Sequence, residues 1–277
     1  MAESAAMIQY RQEYIAGFEQ RQSLVRNTVT TEAVIKGNQA VFLVGDSNGD
    51  EAVSRGINGL IPAKADNNTQ YTATLVEWHD LRRKTGFNIF QSQGDQRKLM
   101  QENSMSVINR KIDDDVITEL NTATQDTGVA VTASLDLVMY GKVILGNNAV
   151  PADGGLFGLI TPAFEAYLMQ VKEFANVDYV NNKPFESSGL TAFRWAGVNW
   201  IVHPNLPGKG TSAEKCFLYH KNAIGHAVNT GGVDVEIGYD GEQAYSWART
   251  SVYMGSKILQ NSGIVVLNHD GSGYAAQ

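Results

Sequence analysis

The stretch His203–Ser212, HPNLPGKGTS, carries the Gly-Lys-Gly-Thr-Ser chemistry of a loop that could cradle phosphate. Such a loop needs a glycine five positions before the glycine that precedes the lysine. It also needs Ser or Thr straight after the lysine, and a helix whose first N–H groups face the anion. Here the glycine position is His203, Lys209 is followed by Gly210, and Ser212-Ala213-Glu214 runs into the strand-like KCFLYH. Spacing and context therefore point to an exposed turn. A phosphate-binding α+β enzyme using Lys209 stands as the alternative from the catalytic class.

Asp113-Asp114-Asp115 offers adjacent carboxylates for a metal. Consecutive helical residues point about 100° apart, so one helix cannot converge them; a solvated or inter-subunit face is expected. DSNGDE at Asp46 imitates a calcium loop, but Glu51 stands where glycine is needed and Ile57 where the closing glutamate is needed. His79, His203, His220, His226 and His269 contain no i, i+4 pair and no Cys–His cluster, and His269-Asp270 has no nucleophile beside it. Cys216, between Lys215 and Phe217, reads as a small core residue. No catalytic residue, metal or cofactor is expected. Arg82-Arg83-Lys84 is the densest basic run, following His79-Asp80; a salt bridge to a neighbouring subunit and plain solvation both remain open.

These residues sit in a chain of 277, 43% hydrophobic and 18% charged, an ordinary balance for a folded protein. A formal net charge of −7, from 22 Lys plus Arg against 29 Asp plus Glu, argues against a protein whose main task is neutralising nucleic-acid phosphates. MAESAAMIQYRQEY lacks the apolar core of a signal peptide, and GIVVL at Gly263–Leu267 falls far short of the ~20 residues that cross a bilayer. A soluble protein, made in a reducing cytoplasm and without membrane contact, is expected; its single cysteine allows no internal disulfide. Asn67-Asn68-Thr69 is then a polar turn.

Near the N-terminus, Met7, Tyr10, Tyr14 and Phe18 form one apolar stripe of an amphipathic helix. A lone helix is marginal in water, so this arm needs a partner surface. From Thr28 the period becomes two, giving strands joined by turns at Gly37-Asn38 and Asp46–Asp50. In this ribbon Tyr71, Ala73 and Leu75 share a face, but neither face is fully apolar, so the ribbon is expected to lie on a neighbour. A long helix follows over Asp95–Thr124, with Met105, Ile108, Ile112, Val116 and Leu120 in a narrow stripe and a length of about 45 Å. TASLDLVMYGKVILGNN reads as a second helix burying Leu135, Val138 and Met139. A third opens at Thr161-Pro162, with Leu168 and Val171 inward. FRWAGVNWIVHP reads as a hairpin around Ala196-Gly197. KCFLYH, VDVEIGYD and two runs flanking Gln260–Gly263 read as strands. The layout is α+β, without an internal repeat.

The order and lengths of these segments resemble the major capsid proteins of tailed bacteriophages, with the Hong Kong 97-like fold, over nearly the whole chain. TEAVIKGNQAVFLVGD to TLVEWHDLRRKTGFNI is similar to the family's extended loop, and DQRKLMQENSMSVINRKIDDDVITEL to its spine helix. GLITPAFEAYLMQVKEF resembles its strand-Thr/Ser-Pro-helix segment, and SWARTSVYMGSKILQNSGIVVLNHD its closing peripheral-domain strands. Gly197-Val198-Asn199-Trp200 stands where the family has Gly-x-Pro-Val, without the proline.

The resemblance implies an N-terminal arm over 1–30 and an extended loop over 31–94. It implies a peripheral domain over 95–126 and 232–277, and an axial domain over 127–231. It implies a non-enzymatic subunit that forms pentamers and hexamers in an icosahedral shell. That shell is assembled in the host bacterial cytoplasm around double-stranded DNA, without sequence specificity. A separate scaffolding protein, a portal and decoration proteins are the expected partners. Inter-subunit contacts are expected from Tyr10, Tyr14, Phe18, Glu77, Asp80, Arg82, Arg83, Asp113 and Asp114. An encapsulin-like compartment shell is the alternative within the same fold.

Overall fold

A computed structural model describes residues 20–34, 37–47, 50–59, 61–65, 67–86, 96–172 and 192–274. Its longest element is helix α1, Gln96–Leu120, 25 residues and about 37 Å long. Ile108, Ile112, Val116 and Leu120 of the expected stripe are buried, and Met105 is half-buried. The stripe serves two separate cores. Ile108 and Ile112 pack with Val228, Val252 and Met254, whereas Val116, Ile117 and Leu120 join a larger cluster that includes Leu159, Trp200, Phe217 and Val265.

The first core lies beneath a five-stranded sheet. β1 (Thr30–Val34) runs parallel to β9 (Ile224–Asn229). β11 (Tyr245–Ile258) is its long central strand. It pairs antiparallel with β9, with β10 (Asp234–Asp240) and with β4 (Val76–Thr85). The stretch 31–94 is thus tied into this sheet near both ends of its described part. Between those ties, β2 (Gln39–Asp46) and β3 (Asn67–Thr74) form a two-stranded antiparallel ribbon. Its root packs on this chain's own sheet through Ala40, Phe42, Ala73, Ala227 and Leu259. Farther out, Leu43, Val53, Ile57 and Ile61 are exposed, Ile57 completely.

A second five-stranded sheet has the order β12 (Ile264–His269), β8 (Glu214–His220), β5 (Leu156–Ile160), β7 (Val198–Val202) and β6 (Ala192–Trp195). β5 lies between β7 and β8, and β6 and β12 form the edges. The hairpin turn between β6 and β7 is at Ala196-Gly197, both at positive φ, as expected from the sequence. The run GIVVLNHD, grouped from sequence with β11, pairs instead with β8. The turn at Asn261–Gly263 carries it from one sheet to the other.

Helix α2, Leu135–Asn147, begins where the Ser134 side chain accepts from the Leu137 N–H at 3.3 Å. It buries Leu137, Val138, Gly141 and Leu145, whereas Met139, expected inside, is 39% exposed. The reason is a close approach: a Cβ at Gly141 would stand 2.7 Å from Leu267 Cδ2 of β12, so the helix turns its glycine toward that strand. Helix α3, Pro162–Leu168, starts as expected, with Thr161 Oγ1 accepting from Phe164 N–H at 3.2 Å and Leu168 buried.

Ile112 is fully buried where helix and sheet meet. Ile112→Ala is expected to cost about 2–5 kcal/mol, read as a lower urea midpoint with unchanged slope. A loss below ~1 kcal/mol would contradict this packing.

Candidate functional site

The register that buries the α1 stripe also turns Asp113 inward, because Ile117 and Leu120, four and seven residues on, share its side of the helix. Asp113 was expected on a solvated or inter-subunit face and is instead 1% exposed. Its carboxylate accepts Ser23 Oγ at 2.5 Å, Leu24 N–H at 3.0 Å and Val25 N–H at 3.2 Å, together with the Gln20 amide. His203, at the end of β7, places Nε2 3.3 Å away. Its Nδ1 accepts from Asn205 N–H at 3.2 Å, so Nε2 carries the proton and donates to the carboxylate. Burial pushes the Asp113 carboxyl up, but the His203, Ser23, Leu24 and Val25 hydrogen bonds together outweigh it and hold it below the usual range.

The neighbouring carboxylates diverge, as helical geometry requires. Asp114 is exposed and meets Lys111 at 2.7 Å. Asp115 accepts the Ser256 hydroxyl at 2.6 Å, and Ser256 in turn contacts His226 Nδ1 at 3.0 Å. His226 is fully buried, and its Nε2 has no hydrogen-bond partner.

A second buried carboxylate organises the loop that resembled a phosphate cradle. Glu214 accepts Thr161 Oγ1 at 2.6 Å and Gly210 N–H at 2.5 Å. The loop's backbone donor is therefore directed at this protein's own carboxylate. Gly208 has φ +72°, and a Cβ there would lie 2.2 Å from the Ala213 carbonyl oxygen. Lys209 Nζ donates to Pro204 O at 2.9 Å and Asn205 Oδ1 at 3.1 Å. Cys216 is fully buried, its thiol pushed up to about 12 by desolvation. Among the described residues, no group of three or more His, Cys, Asp or Glu converges as metal ligands would.

The remaining sequence-singled residues fall on β4. Glu77 lies 2.7 Å from His79 Nε2, Asp80 meets Arg82 Nε at 2.9 Å, and Arg83 lies over the Tyr245 ring at 5.0 Å. β4 brings these together on one strand, whereas Asp113 serves the interior. Tyr10, Tyr14 and Phe18 lie outside the described residues. Sequence reasoning missed Glu214 and His203. For Asp113, the signal was available in its i, i+4 relation to Ile117.

Among solved structures the chain is similar to a protein of Mycobacterium phage Che8, at 16% identity and TM-score 0.73, over 93% of this chain and 94% of that one. It is likewise similar to a chain from the capsid of cyanophage P-SCSP1u, at 12% identity and TM-score 0.75, over 96% and 93%. A third likeness, to a chain from the capsid of a native GTA particle, has 12% identity and TM-score 0.74, over 97% of each chain. No curated protein matches. The fold is the Hong Kong 97-like fold of phage capsids. The family model for phage capsid proteins matches residues 2–271, and the chain belongs to that family.

Two predictions follow from the buried groups. Asp113→Ala leaves buried donors from the N-terminal segment unsatisfied, and a loss of at least about 1–3 kcal/mol in chemical denaturation is expected. The second concerns acid. Burial, with the Arg26 charge adding to it and Asp113 opposing, pulls the His226 pKa from 6.5 to about 4. The unfolded chain therefore takes up this proton near pH 6.5 while the folded chain refuses it until about pH 4, so stability falls as pH drops through that window. The expected loss is on the order of 3 kcal/mol. Urea midpoints at pH 7, 5.5 and 4 check it, and a His226→Gln variant should show a flatter profile.

Proposed function

We propose that the chain is the major capsid subunit of a tailed bacteriophage, self-assembling as pentamers and hexamers into an icosahedral shell around double-stranded DNA. The observation that carries this reading, beside family membership, is apolar surface that the chain leaves uncovered: Leu43, Val53, Ile57 and Ile61 project from the ribbon. Fully burying such a side chain contributes about 1.5–3 kcal/mol, so a neighbouring subunit that covers the ribbon gains several contacts of this size.

In this reading the segment 1–30 is an arm, and the ribbon with its tip is the extended loop. The first sheet with α1 is the peripheral unit, and the second sheet with α2 and α3 is the axial unit. Strand pairing supports drawing β12 with the axial unit and β9 with the peripheral one. Contacts with neighbours come from Tyr10, Tyr14 and Phe18 of the arm and from Glu77, Asp80, Arg82, Arg83 and Asp114. The subunit is non-enzymatic and its shell encloses DNA without reading its sequence; a formal net charge of −7 favours enclosing the duplex over gripping its phosphates. A scaffolding protein, a portal and decoration proteins complete a virion assembled in the bacterial cytoplasm.

Negative-stain microscopy of the expressed protein is expected to show hollow shells or rings of five and six. Sedimentation as a monomer at all concentrations, with or without a co-expressed scaffolding protein, would count against the assembly.

A further inference from the structure

Beside α1 lies an open groove of about 480 Å³, bordered by Gln20 and the exposed Asp114 and lined with apolar surface from Trp78, Val107, Ile108 and Ile117. The Trp78 ring packs against the Ile108 and Ile112 core, and Lys111 Nζ stands 4.2 Å from its centroid. Two buried atoms of the lining residues have no hydrogen-bond partner among the described residues: Trp78 Nε1, a donor, and Gln20 Oε1, an acceptor. Leaving such a group unpaired costs about 1–3 kcal/mol, so the groove favours an occupant that is apolar with a polar tip.

Gln20 is also where the described residues begin. Asp113 and the Gln22 carbonyl hold its amide, and Asn109 Nδ2 donates to Arg21 O at 2.9 Å, so the chain lies against α1 up to the border of the groove. Residues 1–19 lie outside the described part, but covalent geometry limits Phe18. With about 3.8 Å between consecutive Cα atoms, its Cα is within about 8 Å of the Gln20 Cα. Phe18 closes the stripe of Met7, Tyr10 and Tyr14, which needs an apolar surface to dock on, and the groove is such a surface within its reach.

We propose that the groove is the seat of this chain's own arm: Phe18 packs on Trp78 and Val107. Tyr14, one helical turn earlier, brings a hydroxyl that accepts from Trp78 Nε1 or donates to Gln20 Oε1. The tether decides the occupant, because a segment from another copy enters only after the local Phe18, two residues from Gln20, has left. The seat holds whether or not the chain builds a shell. Where it does, Phe18 lies beside the exposed Asp114, and the two meet a neighbouring subunit as one surface; that last contact rests on the shell reading above.

Trypsin cleavage after Arg11, the one Lys or Arg among residues 1–20, reads the seat, since the protease must engage residues up to Tyr14. Phe18→Ala and Val107→Asp are each expected to speed that cleavage about tenfold, and the double variant no more than about threefold beyond either single, because both remove the same contact. Single variants cleaved at the wild-type rate, or a double variant in which the two effects multiply, would overturn the seat. In a second measurement a Phe18→Cys, Val107→Cys chain is treated with a short bis-maleimide. A bridge within one chain is expected, running as a monomer on a denaturing gel, with the buried Cys216 silent. A ladder of linked chains would give the groove to the arm of another copy, and no bridge would place the arm elsewhere; either result overturns the proposal. A chain that forms the internal bridge but neither rings nor particles keeps the seat while the shell reading falls.

Discussion

Taking the Asp113 carboxylate out of water costs several kcal/mol, and helix α1 carries it only because donors from two distant parts of the chain are fixed around it. Gln20, Ser23 and the N–H groups of Leu24 and Val25 come from the N-terminal segment, and His203 comes from the second sheet. A shift of any one of these elements strands a buried charge. The carboxylate thereby fixes the rotation of the helix, and with it which residues reach each core. Ile108 and Ile112 meet the first sheet, and Val116 and Leu120 the second. The segment from Gln20 to Val25 is held against the long helix by the same group.

Glu214 plays a comparable part in the second sheet. It ties the N-cap of α3, through Thr161, to the loop before β8, through Gly210. Both carboxylates are met by several hydrogen-bond donors from different elements, an arrangement suited to rigidity. The two sheets and the long helix therefore form a fixed frame, while the ribbon packs on it through its root and leaves Leu43, Val53, Ile57 and Ile61 exposed. The division would suit the proposed assembly: a frame that transmits position, and an extended element with exposed apolar residues.

Much of this was legible in the sequence, and the exceptions share a cause. The long helix, the hairpin at Ala196-Gly197 and the Thr161-Pro162 helix start are local features, written in periodicity and capping chemistry within a few residues. The partners of strands are not local. β12 follows β11 after a short turn yet pairs with β8, and β4 pairs with β11 across 160 residues or more, as at Thr85 and Tyr245. The inward face of α2 was misread for a similar reason. Periodicity allows several faces, and the choice falls to Gly141, whose absent Cβ matters only once Leu267 of β12 is beside it. Asp113 was read as a surface charge because its donors lie about 90 residues away in either direction. The candidate contact residues on β4 were visible as a charge run, but their placement opposite an acidic strand depended on that long-range pairing.

The charge balance imposes a further requirement on any assembly of this chain. Copies with a net charge of −7 repel at long range, so association must come from surfaces where the local balance differs from the mean. Arg82-Arg83-Lys84 is such a place, because it is the densest cationic run in an acidic chain. Exposed ion pairs are worth only about 0–1 kcal/mol each and are weakened by salt, so they are poor at supplying affinity and good at rejecting wrong orientations. Affinity falls instead to the uncovered apolar residues, whose burial is indifferent to direction. In the assembly proposed above the two tasks would be separate: exposed apolar residues such as Ile57 and Ile61 would hold a neighbour, and exposed charges would decide which way round it sits.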